Sequence, residues 1–211
     1  MELFLTTFGA LFSIMNPLGT VPVFVGLSTE HSKKERAVLA FWTAVNAFII
    51  LLLSFFAGKY ILSFFGITIN ALKIAGGLII ASSGFALLTG KFVEHKGMKR
   101  KRVEEDIQSR NEVSLTPLAI PMLAGPGTIS LLITYNQEFT EIEDISIILS
   151  AIVLTILAIY LILKSAHFIV KFLGASGINA LSRIIGFIVI AIGVEYIISS
   201  LSTIVATWHL A

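Results

Sequence analysis

Residues 3–27, LFLTTFGALFSIMNPLGTVPVFVGL, form an apolar run long enough to cross a bilayer, yet Asn16-Pro17-Leu18-Gly19-Thr20 interrupts it near its middle. As a helix, about 20 mostly apolar residues span ~30 Å of hydrocarbon. Proline removes a backbone donor and clashes with the preceding turn, and glycine relaxes the backbone. The stretch therefore predicts a membrane helix that breaks at mid-depth. Backbone freed there cannot face lipid, because each unsatisfied group is costly in hydrocarbon. It has to be buried in protein or line a wet cavity.

The remainder of the chain supports a membrane reading. Hydrophobic residues make up 56% of 211 and charged residues 13%, against ~45–50% and ~25% in soluble domains. Beyond Leu3 to Leu27, five further stretches are long and apolar enough to span: Ala37 to Ala57, Ile69 to Thr89, Leu115 to Tyr135, Ile145 to Lys164 and Ile178 to Ile198. None shows the strict alternation of barrel strands. The absence of cysteine excludes disulfides, thiolate metal sites and thiol nucleophiles. The net charge of +2 is small and its basic residues are concentrated in one stretch, which argues against a nucleic-acid surface. Met1-Glu2-Leu3-Phe4 offers no basic region before its apolar run, so the first span reads as a membrane helix and not as a cleaved signal peptide.

Basic residues set the expected orientation. Lys33, Lys34 and Arg36 occupy the first connection, Lys99-Arg100-Lys101-Arg102 the third, and Lys164 and Lys171 flank the fifth. The fourth holds Glu138, Glu141, Glu143 and Asp144 without a basic residue. Odd connections therefore face the cytoplasm and both termini face outward, in the inner (plasma) membrane. Tyr60, Tyr135, Phe139 and Trp208 fall at outer ends, where amphipathic rings favour the headgroup level.

The chain repeats itself. Ile69-Asn70-Ala71-Leu72 recurs as Ile178-Asn179-Ala180-Leu181, an offset of 109. At that offset Gly77 meets Gly186, Gly84 meets Gly193 and Pro17 meets Pro126; one residue less aligns Gly19-Thr20 with Gly127-Thr128. The expected fold is thus an all-α membrane protein of six transmembrane helices in two inverted three-helix repeats, with broken first and fourth helices. Residues 1–95 form the first repeat, 96–111 a basic cytoplasmic linker, and 112–211 the second. Inverted repeats recur in secondary transporters, with the substrate held near the midplane at the repeat interface.

The fourth span carries Pro121 and then Ala124-Gly125-Pro126-Gly127-Thr128. A restarting helix presents N–H groups with partial positive charge, which attract an anion, and an ending helix presents carbonyls to a cation. Two facing breaks would hold a zwitterion without any charged side chain, and their glycines leave room only for a small one. Asn46, midway along the second span, either bonds a neighbouring helix or faces the pathway; Thr155 is its counterpart. Glu195 is the one carboxylate well inside a span, where it suggests coupling to a cation or instead snorkels and pairs outward.

Asn16-Pro17-Leu18-Gly19, with Pro121-Met122-Leu123-Ala124-Gly125-Pro126-Gly127-Thr128-Ile129, resembles the MarC family of integral membrane proteins across essentially the whole chain. The resemblance implies transport of small neutral amino acids, glycine and alanine above all. It also implies that Asn16, Pro17, Leu18, Gly19 and Thr20, with Ala124, Gly125, Pro126, Gly127 and Thr128, touch the substrate. The expectation is a secondary transporter working by alternating access, with membrane lipids around it, no cofactor beyond a coupling H+ or Na+, and no enzymatic activity. Efflux of other small compounds, or a channel or assembly protein without amino acid transport, are the alternatives.

Overall fold

A computed structural model describes residues 1–29, 31–89, 118–119 and 122–208. Among them all regular structure is helical: α1 (Glu2–Met15), α2 (Pro17–Leu27), α3 (Lys33–Phe65), α4 (Ile69–Thr89), α5 (Pro126–Glu138), α6 (Ile142–Lys164) and α7 (Ala166–Trp208). The basic linker 96–111, Pro121 and the side chain of Trp208 lie outside the described residues.

Five helical stretches are long and apolar enough to cross a membrane: Glu2–Leu27, Lys33–Phe65, Ile69–Thr89, Ile142–Lys164 and Ser176–Ala206. The expected fourth span contributes only α5, whose 13 residues cannot cross alone; part of what precedes it is outside the described residues. α3 runs well beyond the expected Ala37 to Ala57, because local chemistry sets its ends. Ser32 and Glu35 form a reciprocal capping box at its start, and Gly66, left-handed at φ 64°, closes its end.

The bundle is built on an unusually close contact between α4 and α7. A Cβ at Gly77 would lie 2.6 Å from the carbonyl oxygen of Gly193, and one at Gly84 would lie 2.7 Å from that of Gly186. Small residues of this kind let helix backbones approach closely. The pairing is crosswise: each glycine faces the repeat counterpart of the other, as a two-fold axis between the helices requires. The broken helices follow the same rule, since α2 lies on α7 and α5 lies on α4. α3 sits beside α5 and α6, and α1 beside α6.

The core collects Leu11, Met15, Phe24, Leu51, Phe55, Ile80, Leu131 and Leu132, all fully buried. The outside is equally apolar. Ile184, Phe187, Ile188, Val194, Ile198 and Leu201 recur at helical spacing along the exposed face of α7, as expected where lipid is the solvent. Glycine at 174, with φ 65° and ψ 173°, separates Ala166–Leu173 from the long span after it. The connection between the last two spans is therefore itself a short helix, with Phe168 and Phe172 exposed and their rings stacked 6.3 Å apart.

The α4–α7 contact predicts a contrast. Gly84→Val must displace backbone and should cost about 1–3 kcal/mol. Gly9→Ala, with nothing within 4 Å of the added methyl, should leave stability unchanged or slightly raised. Thermal unfolding in detergent micelles separates the two outcomes.

Candidate functional site

α1 ends at Asn16, whose N–H donates to Phe12 O at 3.0 Å and whose backbone turns left-handed at φ 43°, ψ 65°. It is the one non-glycine residue with positive φ among those described. Asparagine tolerates that region better than most residues. Pro17 then opens α2 at the first helical position, where its missing N–H costs nothing to the new helix. It does cost the old one, because the Ser13 carbonyl loses its donor four residues on.

Asn16 repairs part of the damage it creates. Its Oδ1 accepts the Gly19 N–H at 3.2 Å, a side-chain cap on α2. Its carbonyl accepts both the Thr20 N–H and the Thr20 hydroxyl at 3.3 Å. A side chain at Gly19 would overlap the Asn16 amide. The break is thus one residue wide: Pro17, Leu18, Gly19 and Thr20, expected to be unwound, are already helical. One side-chain group at the break stays unsatisfied. Asn16 is fully buried, and its Nδ2 has no hydrogen-bond partner. Exchanging N and O of this amide would set a donor against the Gly19 N–H, so the cap fixes the orientation.

The second break is looser. The Ala124 N–H reaches back five residues to Ala119 O at 2.8 Å, a widened turn. Gly125 is extended, and α5 starts at Pro126 with no side-chain cap. Its first N–H groups carry the positive end of the helix dipole. The Thr128 hydroxyl donates to Leu123 O at 3.3 Å, as Thr20 does to Asn16 O in the other half. Ala124, Gly125, Gly127 and Thr128 are buried, while Pro126 is exposed.

Gly127, just past the second break, packs beside the last turn of α1. The Cβ position of Gly127 lies 2.7 Å from Ile80 Cγ1 and 3.5 Å from Ile14 Cγ2, the latter two residues before Asn16. Asn46 is half-buried on α3 between the buried Thr43 and Ala47. Thr155 is buried and spends its hydroxyl on Ala151 O at 2.7 Å. Glu195, weighed as a coupling carboxylate, instead stands on the exposed face of α7.

The fold also places polar groups outside the expected site residues. Thr7, Thr43 and Thr134 are fully buried and their hydroxyls have no partner. Lys73 of α4 forms an ion pair with Glu138 at the end of α5. At the opposite end of the bundle, Arg36 donates to the carbonyls of Ser28 and Thr29 that finish α2, both at 3.0 Å. Burial, and then the Arg36 charge beside it, hold the His167 imidazole below its ordinary value. Opposite charges at the ends of α4 and α5 were visible in the sequence, but their adjacency was not.

Residues 1–205 match the family described as MarC family integral membrane protein. A UPF0056 membrane protein of Methanocaldococcus jannaschii is 37% identical over 201 residues, covering 95% of this chain and 97% of its own. The UPF0056 inner membrane protein MarC of Escherichia coli O1:K1 is 34% identical over 207 residues, covering 94% of each chain. A UPF0056 membrane protein of Buchnera aphidicola is 35% identical over 196 residues, covering 93% of this chain and 90% of its own. No solved structure matches the chain.

The threonine bonds can be tested directly. Thr128→Val strips the Leu123 carbonyl at a break and should cost about 1 kcal/mol. Thr155→Val removes a hydroxyl from a carbonyl inside an unbroken helix and should cost only a few tenths of that (roughly 0.3 kcal/mol). Denaturation midpoints of the two variants supply the comparison.

Proposed function

This chain belongs to the MarC family of integral membrane proteins, and from that premise we propose that it is a secondary transporter of small neutral amino acids, glycine and alanine, in the inner membrane. The observation that carries the reading is the Asn16 amide. A buried donor left without a partner costs about 1–3 kcal/mol, and here it sits where a helix restarts and a second break adjoins. A ligand that accepts from it removes the cost.

The substrate carboxylate takes Asn16 Nδ2 together with the first N–H groups of α5, where the helix dipole favours negative charge. The ammonium takes the carbonyl at Ser13 that Pro17 leaves without a helical donor. Side-chain size is limited by Gly127, wedged between Ile80 and Ile14, and by Gly19 beneath the amide. Nothing here needs an enzyme or a resident cofactor; the driving force is a coupled H+ or Na+ gradient.

The framework for movement is an inverted repeat of six spans, with the fourth completed ahead of Pro126 and both termini outside. Its support is the crosswise glycine contact of α4 and α7, and the equivalent seating of α2 on α7 and α5 on α4. Alternating access then consists of one three-helix unit rocking against the other around the breaks.

Uptake of radiolabelled glycine and alanine into proteoliposomes, with pH and sodium gradients imposed separately, tests the reading. Asn16→Gly keeps the left-handed residue and deletes the amide; it should raise the half-saturating concentration about ten- to a hundredfold, the loss of one hydrogen bond to a charged group. Gly127→Leu should abolish uptake in a protein that still inserts and folds. Uptake unaltered in Asn16→Gly, or absent from the wild type under both gradients, overturns the proposal.

A further inference from the structure

We infer that the Lys73–Glu138 ion pair is the latch of a gate, closing a passage that runs from the two breaks between α1 and α5, past Thr7 and Thr134. The inference rests on the transporter reading for its purpose, although its test does not.

Thr7 and Thr134 are the starting point. A threonine in a helix usually satisfies its hydroxyl on the carbonyl one turn back. Thr155 does so on Ala151 at 2.7 Å and Thr89 on Phe85 at 2.8 Å. Thr7 and Thr134 are fully buried and neither makes that bond. Their hydroxyls forgo the bond that their own backbone offers, so they belong to a surface that is wet or occupied in another state.

Their position makes that surface a route. Thr7 precedes Asn16 by nine residues and Thr134 follows Pro126 by eight, about 12–14 Å along each helix. The two lie on the same side of the breaks, because the Tyr135 phenol, next to Thr134 in the chain, lies beside the Thr7 hydroxyl. Beyond them the polar groups continue. Asn136 holds a buried Oδ1 with no partner, and the Glu138 carboxylate lies within electrostatic reach of Tyr135 and Tyr196.

Lys73 closes the end. Its side chain is 13% exposed and that of Glu138 is 41% exposed, so the pair sits at the mouth, half in solvent. It joins α4 to α5, one helix from each half of the chain. Separating the halves at this end has to break it. Such a pair is weak enough to open thermally and specific enough to hold when closed. Two further links across the halves lie nearby, Ser130 to Leu72 O at 3.2 Å and Ser200 to Asn70 O at 3.1 Å. Both are hydroxyl bonds to backbone, which tether the halves without charge.

The absence of native cysteine makes a clean test. Thr134→Cys places a single thiol in the passage, and Thr155→Cys places one equally buried on α6, at a position whose hydroxyl is already bonded to Ala151 O. Reaction of each with a charged methanethiosulfonate reagent is timed in detergent-solubilised full-length protein. Adding Glu138→Gln should speed the reaction at position 134 about three- to tenfold and leave position 155 unchanged. The charge exchange Lys73→Glu with Glu138→Lys should restore protection at 134. Equal acceleration at both positions would show that the pair is only a structural staple; no acceleration at 134, or no rescue by the exchange, would equally overturn the latch. Should Thr134→Cys fail to fold, Thr7→Cys on the facing helix reports on the same passage. The reaction needs no amino acid substrate, so loss of glycine and alanine transport as a reading would leave its outcome interpretable.

Discussion

In hydrocarbon a peptide group has no solvent to fall back on, and this architecture is arranged around that constraint. A continuous helix meets it trivially. A helix that breaks at mid-depth meets it only if every freed group is paired, buried or offered to something polar. Asn16 achieves the first two for most of its neighbours, with its Oδ1 on Gly19, its carbonyl on Thr20 and its N–H on Phe12. What it leaves over is a single amide donor. That unpaired donor, together with the buried hydroxyls of Thr43 and Thr134, gives the interior its polar character.

The same constraint divides the bundle into stiff and compliant parts. α4 and α7 meet through glycines that bring backbone carbonyls and the side chains of Ile190 and Ile197 into close contact, and so tight a contact cannot slide far without disturbing its neighbours. α1, α2 and α5 are different. Each ends or begins at a break, and each is tied by single side-chain bonds such as Thr128 to Leu123 O and Ser130 to Leu72 O. The compliant parts of the bundle are therefore the interrupted helices, and its stiff part is the glycine-packed pair.

Much of this was legible in the sequence because its signals are local. Length and apolarity mark a span, proline and glycine mark a break, and a repeated word such as Ile-Asn-Ala-Leu marks duplication. In the first helix only Asn16 departs from helical geometry, where the sequence reading unwinds Asn16 to Thr20. Proline at the first position of a helix looks the same in sequence as proline in the middle of a loop, and only the left-handed Asn16 shows which it is. Gly174 escaped for the opposite reason: a single glycine among apolar residues carries no signal of the φ it adopts. The Lys73–Glu138 pair required knowing that α4 and α5 are neighbours. From the chain alone Lys73 reads as an interfacial anchor and Glu138 as part of an acidic connection.

Duplication extends to the proposed latch. Glu138 follows the second break, and the offset of 108 that aligns Gly19 with Gly127 carries it onto Glu30. Lys73 precedes the glycines of α4, and the offset of 109 carries it onto Ser182, adjacent to Arg183. Each half therefore supplies one acid just past its broken helix and one cation at or beside the equivalent position on its third helix. Glu30 is outside the described residues, and Arg183 stands exposed on α7. The copies are not identical, because the cation has shifted by one position, which on a helix turns it through about 100°. The duplication therefore leaves the two ends unequal in charge placement, with the Lys73–Glu138 pair formed at one and Arg183 exposed at the counterpart of the other.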